Sequence, residues 1–144
     1  MVTFNELNEQ NHQILELSGV LEHLIGERSM CDNAVTAELF FRYVDGVKAH
    51  LDLEDKHLYK GLLTNHDAEV VKTAKLFLSG SAEIKRIFSR YLRKWCAHRQ
   101  MHIRDHANFL ADTEEMFHIV FSRIQDETEK LYPLIREVDN QKAA

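Results

Sequence analysis

The chain has 144 residues and a net charge of −5. That length supports one domain with a single sizeable hydrophobic core, and the acidic balance excludes a nucleic-acid surface, which needs a net basic footprint. Five glycines and one proline leave little turn chemistry, so long helices are the expectation.

The N-terminal stretch MVTFNELNEQ has neither a basic region nor an apolar run and does not read as a signal peptide. No segment approaches the ~18 apolar residues of a membrane span. Cys31 and Cys96 lack metal-type spacing and read as reduced thiols of a cytoplasmic protein.

Apolar periodicity near 3.6 residues marks four blocks. The first predicted helix covers about residues 4–29, with the stripe Leu7, Ile14, Leu17, Leu21, Leu24. The second is capped by Asp32 or Asn33 and runs to about Leu63. A turn at Thr64–Asp67 opens the third, which continues to about Ala97 on the stripe Val70, Ala74, Phe77, Ser81, Ile84, Phe88, Tyr91, Trp95. After a weakly marked loop the fourth runs from about Asp105 to Glu137. Short connections between such helices predict an all-α, antiparallel up-down-up-down four-helix bundle, with residues 1–144 as one domain. The basic run KRIFSRYLRKWCAHR, residues 85–99, has the spacing of a solvated helix face.

The stripes of the second and fourth helices are interrupted by charge. Phe40, Tyr43, Val47, His50, Glu54, Leu58, Leu62 follow at intervals of three or four, as do Phe109, Met116, Val120, Arg123, Glu127, Leu131, Leu134 with one gap. An unpaired buried charge costs several kcal/mol, so His50, Glu54, Arg123 and Glu127 are expected to pair with one another or with a cation. A histidine and a glutamate four apart on a helix can share one ion, and imidazole with carboxylate suits iron, zinc or manganese. The second helix reads H-x-x-x-E-x-x-x-L-Y over 50–59 and the fourth R-x-x-x-E-x-x-x-L-Y-P over 123–133. Two segments of one layout on neighbouring helices are more specific than either alone.

On these residues, HLDLEDKHLYKGLL and RIQDETEKLYPLI above all, the whole chain resembles the hemerythrin-like, or HHE cation-binding, domains. The resemblance implies a four-helix bundle with a non-haem di-iron site made of histidines from all four helices and two bridging carboxylates. It implies His50 and Glu54 as second-helix ligands and Glu127 as the fourth-helix carboxylate. Members carry or sense oxygen, respond to nitric oxide, help repair iron centres or report iron status.

Three positions depart from that pattern. Position 123 holds an arginine, which cannot lose its proton and can only stand in for a cation. On the third helix the level of the site falls near residues 76–79, where Ala74, Phe77 and Ser81 point inward, while His66 lies about 18 Å away along the axis. On the first helix His12 has the right level but turns away from the apolar stripe; Asn11 lies closer to it. Asn11 also has apolar residues at plus three, four and ten (Ile14, Leu15, Leu21), as the family's first-helix histidine does. The expected ligand set is therefore His50, Glu54, Glu127 and either His12 or the position held by Asn11. Arg123 pairs with the carboxylates and supplies one positive charge; one metal ion or a protonated His50 supplies the other.

Other clusters read as structural. Glu54-x-x-His57 lacks the second E-x-x-H that ferritin-type sites need. His98, His102 and His106 fall in or near a loop and read as solvated, His23 and His118 as surface or packed, and Cys96 as a buried thiol. The functional expectation is an iron-binding protein with one ion rather than two, serving in oxygen, nitric oxide or iron response, with a small diatomic ligand and no membrane partner. A metal-free module with a buried Arg-Glu-His network, and an iron-repair enzyme, are the competing readings.

Overall fold

The computed structural model describes residues 2–143. Four long helical stretches form the fold: α1 (Phe4–Ile25), α3 (Ala34–His57), α5 (Ala68–Trp95), and α6 (His106–Asp126), which passes through a π-helical turn (Glu127–Leu131) into α7 (Tyr132–Ala143). Single-turn helices α2 (Arg28–Cys31) and α4 (Lys60–Leu63) lie in the first two connections. The third is a two-stranded hairpin, β1 (Cys96–Ala97) with β2 (Gln100–Met101).

Each long helix begins with a side chain that satisfies a free backbone N–H. Thr3 accepts from Glu6, Asn33 from Val35, Asp67 from Glu69 and Asp105 from Asn108. Of the two expected caps for the second helix, Asn33 serves. The predicted helix ends at 29, 63 and 97 fall instead at Ile25, His57 and Trp95. At the last of these, His98 and Arg99 take positive φ (53° and 57°) to close the hairpin. Such backbone is costly without glycine. Arg99 offsets it by pairing with Asp45 at 3.0 Å and packing over the Phe41 ring.

The helices close a ring, α1 on α3, α3 on α5, α5 on α6 and α6 on α1. Two apolar clusters fix their directions. One joins the end of α1 (Leu21, Ile25) to the start of α3 (Phe40), the end of α5 (Trp95) and the start of α6 (Phe109). The other joins the start of α1 (Leu7) to Tyr59, Leu62, the start of α5 (Val70, Ala74) and the region of Leu131–Val138. Successive long helices therefore run antiparallel.

Between the clusters lies a polar layer. Asn11 separates Leu7 from Ile14; His50 and Glu54 lie between Val47 and Tyr59, and Arg123 and Glu127 between Val120 and Leu131. All five are buried, Glu54 and Glu127 at 0% exposure.

One stripe differs from expectation. Leu134 is half-buried, while Tyr132, Ile135 and Val138 are buried. The π turn inserts an extra residue into the helix, so the inward stripe advances by one position beyond it. On α3 the helix ends before Leu58, which is half-buried, and Tyr59 points inward instead.

Candidate metal centre

The core of the layer is one imidazole, two carboxylates and one guanidinium. His50 Nε2 lies 2.9 Å from Glu127 Oε1 and 3.3 Å from Glu54 Oε2. The other oxygen of each carboxylate faces Arg123: Glu127 Oε2 accepts from Nε at 2.9 Å, and Glu54 Oε1 from Nη2 at 3.4 Å. Each glutamate thus spans two positive positions, one beside His50 and one filled by Arg123. The i, i+4 spacing on each helix brings His50 to its own Glu54 and Arg123 to its own Glu127. The crossed pairs form across the core, because α3 and α6 are not the neighbours the sequence led one to expect but stand diagonally in the ring and run parallel, with their inward stripes facing each other.

Two tyrosines repeat this reciprocity. Tyr59 follows Glu54 by five residues and its hydroxyl accepts from Arg123 Nη2 at 2.9 Å. Tyr132 follows Glu127 by five residues, and its hydroxyl lies 2.9 Å from Glu54 Oε2 and 3.0 Å from Glu127 Oε1, sharing one proton between them. Burial above all holds both phenols beyond their ordinary pKa range, so they remain hydroxyls. Sequence reasoning missed both residues; the shared L-Y ending of the two segments is the signal that could have found them.

The first helix contributes amides. Asn11 Nδ2 donates to Glu127 Oε1 (3.3 Å) and Tyr132 Oη (3.2 Å). Gln10 Oε1 accepts from His50 Nδ1 at 2.8 Å. His12 is turned to solvent, its side chain 66% exposed and 3.2 Å from Glu16, so the inward position belongs to Asn11 and not to the histidine. One residue on a helix is about 100° of rotation, enough to separate the two.

The third helix contributes a backbone group. Arg123 Nη1 donates to the Phe77 carbonyl at 2.7 Å, and the guanidinium lies over the Phe77 ring. Gly80 eases this approach, because a Cβ there would sit 3.0 Å from Nη1 and push the guanidinium back by a few tenths of an ångström. Sequence reasoning missed Gly80; a glycine in the middle of a 28-residue helix is the signal that could have marked the contact. Ser81 turns instead to Asp55, which also receives Lys85. His23, His57, His66, His98, His102 and His118 are all exposed, and His106 donates to the Ile25 carbonyl.

Charge in the layer follows these distances. Burial alone would lower the His50 pKa, but hydrogen bonds to Glu127 and Glu54, with their charges, raise it to about 9. Burial raises Glu54 above the carboxylate range, reinforced by its hydrogen bond with Glu127. For Glu127 burial is outweighed by the hydrogen bonds from Glu54 and His50 and by the charges of His50 and Arg123, so its pKa falls. Glu127 has the shorter contacts to both cations and therefore keeps the negative charge.

A family model, the hemerythrin HHE cation binding domain, matches residues 2–135. The chain belongs to the hemerythrin HHE family. No curated protein and no solved structure gives a significant match. The family binds metal cations, and the donor set here fits one. Ligand atoms of His50, Glu54 and Glu127 lie within 4.8 Å of one another. Asn11, whose Nδ2 reaches Glu127, keeps a buried Oδ1 with no hydrogen-bond partner among the described residues. A second ion on the same two carboxylates would have to displace the guanidinium. Arg123 is already bonded to both carboxylates there, and α5 offers a carbonyl in place of an imidazole. Among the described residues no helix is long and apolar enough to cross a membrane.

Proposed function

We propose that this hemerythrin-family protein holds one non-haem iron ion on His50, Glu54 and Glu127, and serves in binding or sensing rather than catalysis. The observation that carries the reading is the division of the carboxylate oxygens. Glu54 Oε2 and Glu127 Oε1 face His50, while Glu54 Oε1 and Glu127 Oε2 face Arg123. Arg123 fills the place of a second cation and fixes both carboxylates for the first. When bound, iron supplies redox chemistry and affinity for a small diatomic ligand, oxygen or nitric oxide. The side chains do the rest. Tyr132 and Asn11 orient Glu127, Tyr59 orients Arg123, and burial excludes water. Ligand residues exposed by no more than 2% favour a ligand of diatomic size over a larger substrate. The two free thiols, Cys31 and Cys96, favour a cytoplasmic setting.

One observation favours a second reading, a metal-free module with a partner-binding or regulatory role. A protonated His50 with Arg123 already balances both carboxylates. Elemental analysis and absorption spectroscopy, after aerobic purification and after anaerobic reconstitution with ferrous iron, separate the two. One iron per chain without an oxo-bridge band supports the single-ion site. Two irons with that band overturn it, and no metal after reconstitution leaves the metal-free module.

A further inference from the structure

The ring nitrogen of His50 that faces away from the carboxylates is not left to solvent. Nδ1 lies 2.8 Å from Oε1 of Gln10, the residue before Asn11 on α1. Gln10 is half-buried and lines a groove between α1 and α3 together with Ile14, Gly46 and Ala49. Adjacent α1 residues therefore reach the layer by different routes: Asn11 enters beside Glu127, and Gln10 passes along the groove to the outer edge of the imidazole.

This contact decides which nitrogen can bind an ion. With the amide oxygen of Gln10 turned toward the ring, as it is here, Nδ1 carries the proton, because that oxygen only accepts. Nε2, the nitrogen 2.9 Å from Glu127 and 3.3 Å from Glu54, is then the one whose lone pair a metal can take. A neutral imidazole free of this constraint would gain by placing its only proton on Nε2, where both carboxylates accept it. That tautomer has no lone pair aimed at the site. Gln10 opposes it.

We propose that Gln10 is the positioning residue of the metal site, holding His50 in the Nδ1–H tautomer so that Nε2 is available to the ion. The inference rests on the single-ion reading above. Outer hydrogen bonds to metal-binding histidines are worth about 10–100-fold in affinity. Gln10→Leu keeps the size and removes the acceptor, so it should weaken binding of Co(II) and Zn(II) by that factor. Gln10→Glu restores an acceptor oxygen and should bind at least as tightly as the parent.

The test pairs two readouts on the full chain. Metal affinity is measured by Co(II) absorption with Zn(II) competition in the parent, Gln10→Leu, Gln10→Glu and His50→Ala, with circular dichroism confirming that each is folded. The His50 tautomer is read in the metal-free parent and Gln10→Leu by long-range proton–nitrogen NMR above pH 9, where the ring is neutral and carries a single proton. The proposal expects a hydrogen-bonded Nδ1–H in the parent, its loss in folded Gln10→Leu, and rescue of affinity by Gln10→Glu. Equal affinities for folded parent and Gln10→Leu overturn the role of Gln10 and leave the metal site standing. If the parent binds no more tightly than His50→Ala, the single-ion reading fails. The NMR arm then decides Gln10 alone, and an unchanged Nδ1–H in Gln10→Leu overturns its role.

Discussion

Replacing Arg123 by methionine isolates the part played by the guanidinium. The side chain is 8% exposed and makes four hydrogen bonds, to Glu127 Oε2, the Phe77 carbonyl, Tyr59 Oη and Glu54 Oε1. Glu127 Oε2 and Glu54 Oε1 have Arg123 as their partner in the network, so the substitution strands an oxygen of each carboxylate in the core. Methionine preserves most of the buried stem, so cavity effects are small and the loss is electrostatic. Removing one member of a buried ion pair costs about 3–5 kcal/mol. For a domain of this size that is a fall of about 6–20 °C in Tm. Glu54 can relieve part of the strain by taking a proton, so the deficit should shrink in acid. Urea unfolding of metal-free protein at pH 5 and pH 8 measures both effects. A change under about 0.5 kcal/mol at pH 8 would refute the reasoning, because it would mean that neither carboxylate depends on the guanidinium.

Three further outcomes are expected. Gly80→Ala should not yield the usual 0.5–1 kcal/mol gained on replacing a mid-helix glycine, because its Cβ would meet Arg123 Nη1 at 3.0 Å; in an Arg123→Met background the gain should reappear, and a cycle with no coupling would contradict the close approach. Tyr132→Phe removes the hydroxyl shared by Glu54 and Glu127 and should cost about 1–3 kcal/mol in urea unfolding, whereas a neutral result would show the carboxylates need no donor there. Metal-free protein should also lose stability in alkali. The folded pKa of His50, about 9, lies above its unfolded value, so its contribution is full below pH 6.5 and disappears as pH rises through 9. Glu54, also raised, acts in the same direction at lower pH. The His50 part is on the order of 3 kcal/mol, and His50→Gln should flatten the slope between pH 6.5 and 9.

The bundle was legible because its signals are periodic and repeated. Four apolar stripes mark the long helices, with a cap foreseen only for the second, and the charged interruptions at His50, Glu54, Arg123 and Glu127 mark the level of the polar layer. The sequence left the first-helix position open between His12 and Asn11, with Asn11 nearer the stripe because 100° of helical rotation separates neighbours; the structure resolves it for Asn11. The parts that were not legible depend on contacts distant in sequence. The π turn carries no local signature, yet it shifts Tyr132 and Ile135 inward in place of Leu134. Tyr59 and Tyr132 read as ordinary aromatic residues until the hydroxyls meet charged groups on another helix. Gly80 and the Phe77 carbonyl matter only because Arg123 approaches α5 from α6. The His98–Arg99 turn uses positive φ without glycine, so composition offered no marker for it.

The central proposal, that Arg123 takes the place of a second cation between Glu54 and Glu127 and leaves room for one ion beside His50, is tested most directly by diffraction from crystals grown with ferrous iron, with data at the iron absorption edge. The account predicts one anomalous peak, bounded by His50 Nε2 and one oxygen each of Glu54 and Glu127, with the remaining oxygens still on Arg123. Two peaks per chain, or a single peak on the Arg123 side with the guanidinium displaced, would contradict it.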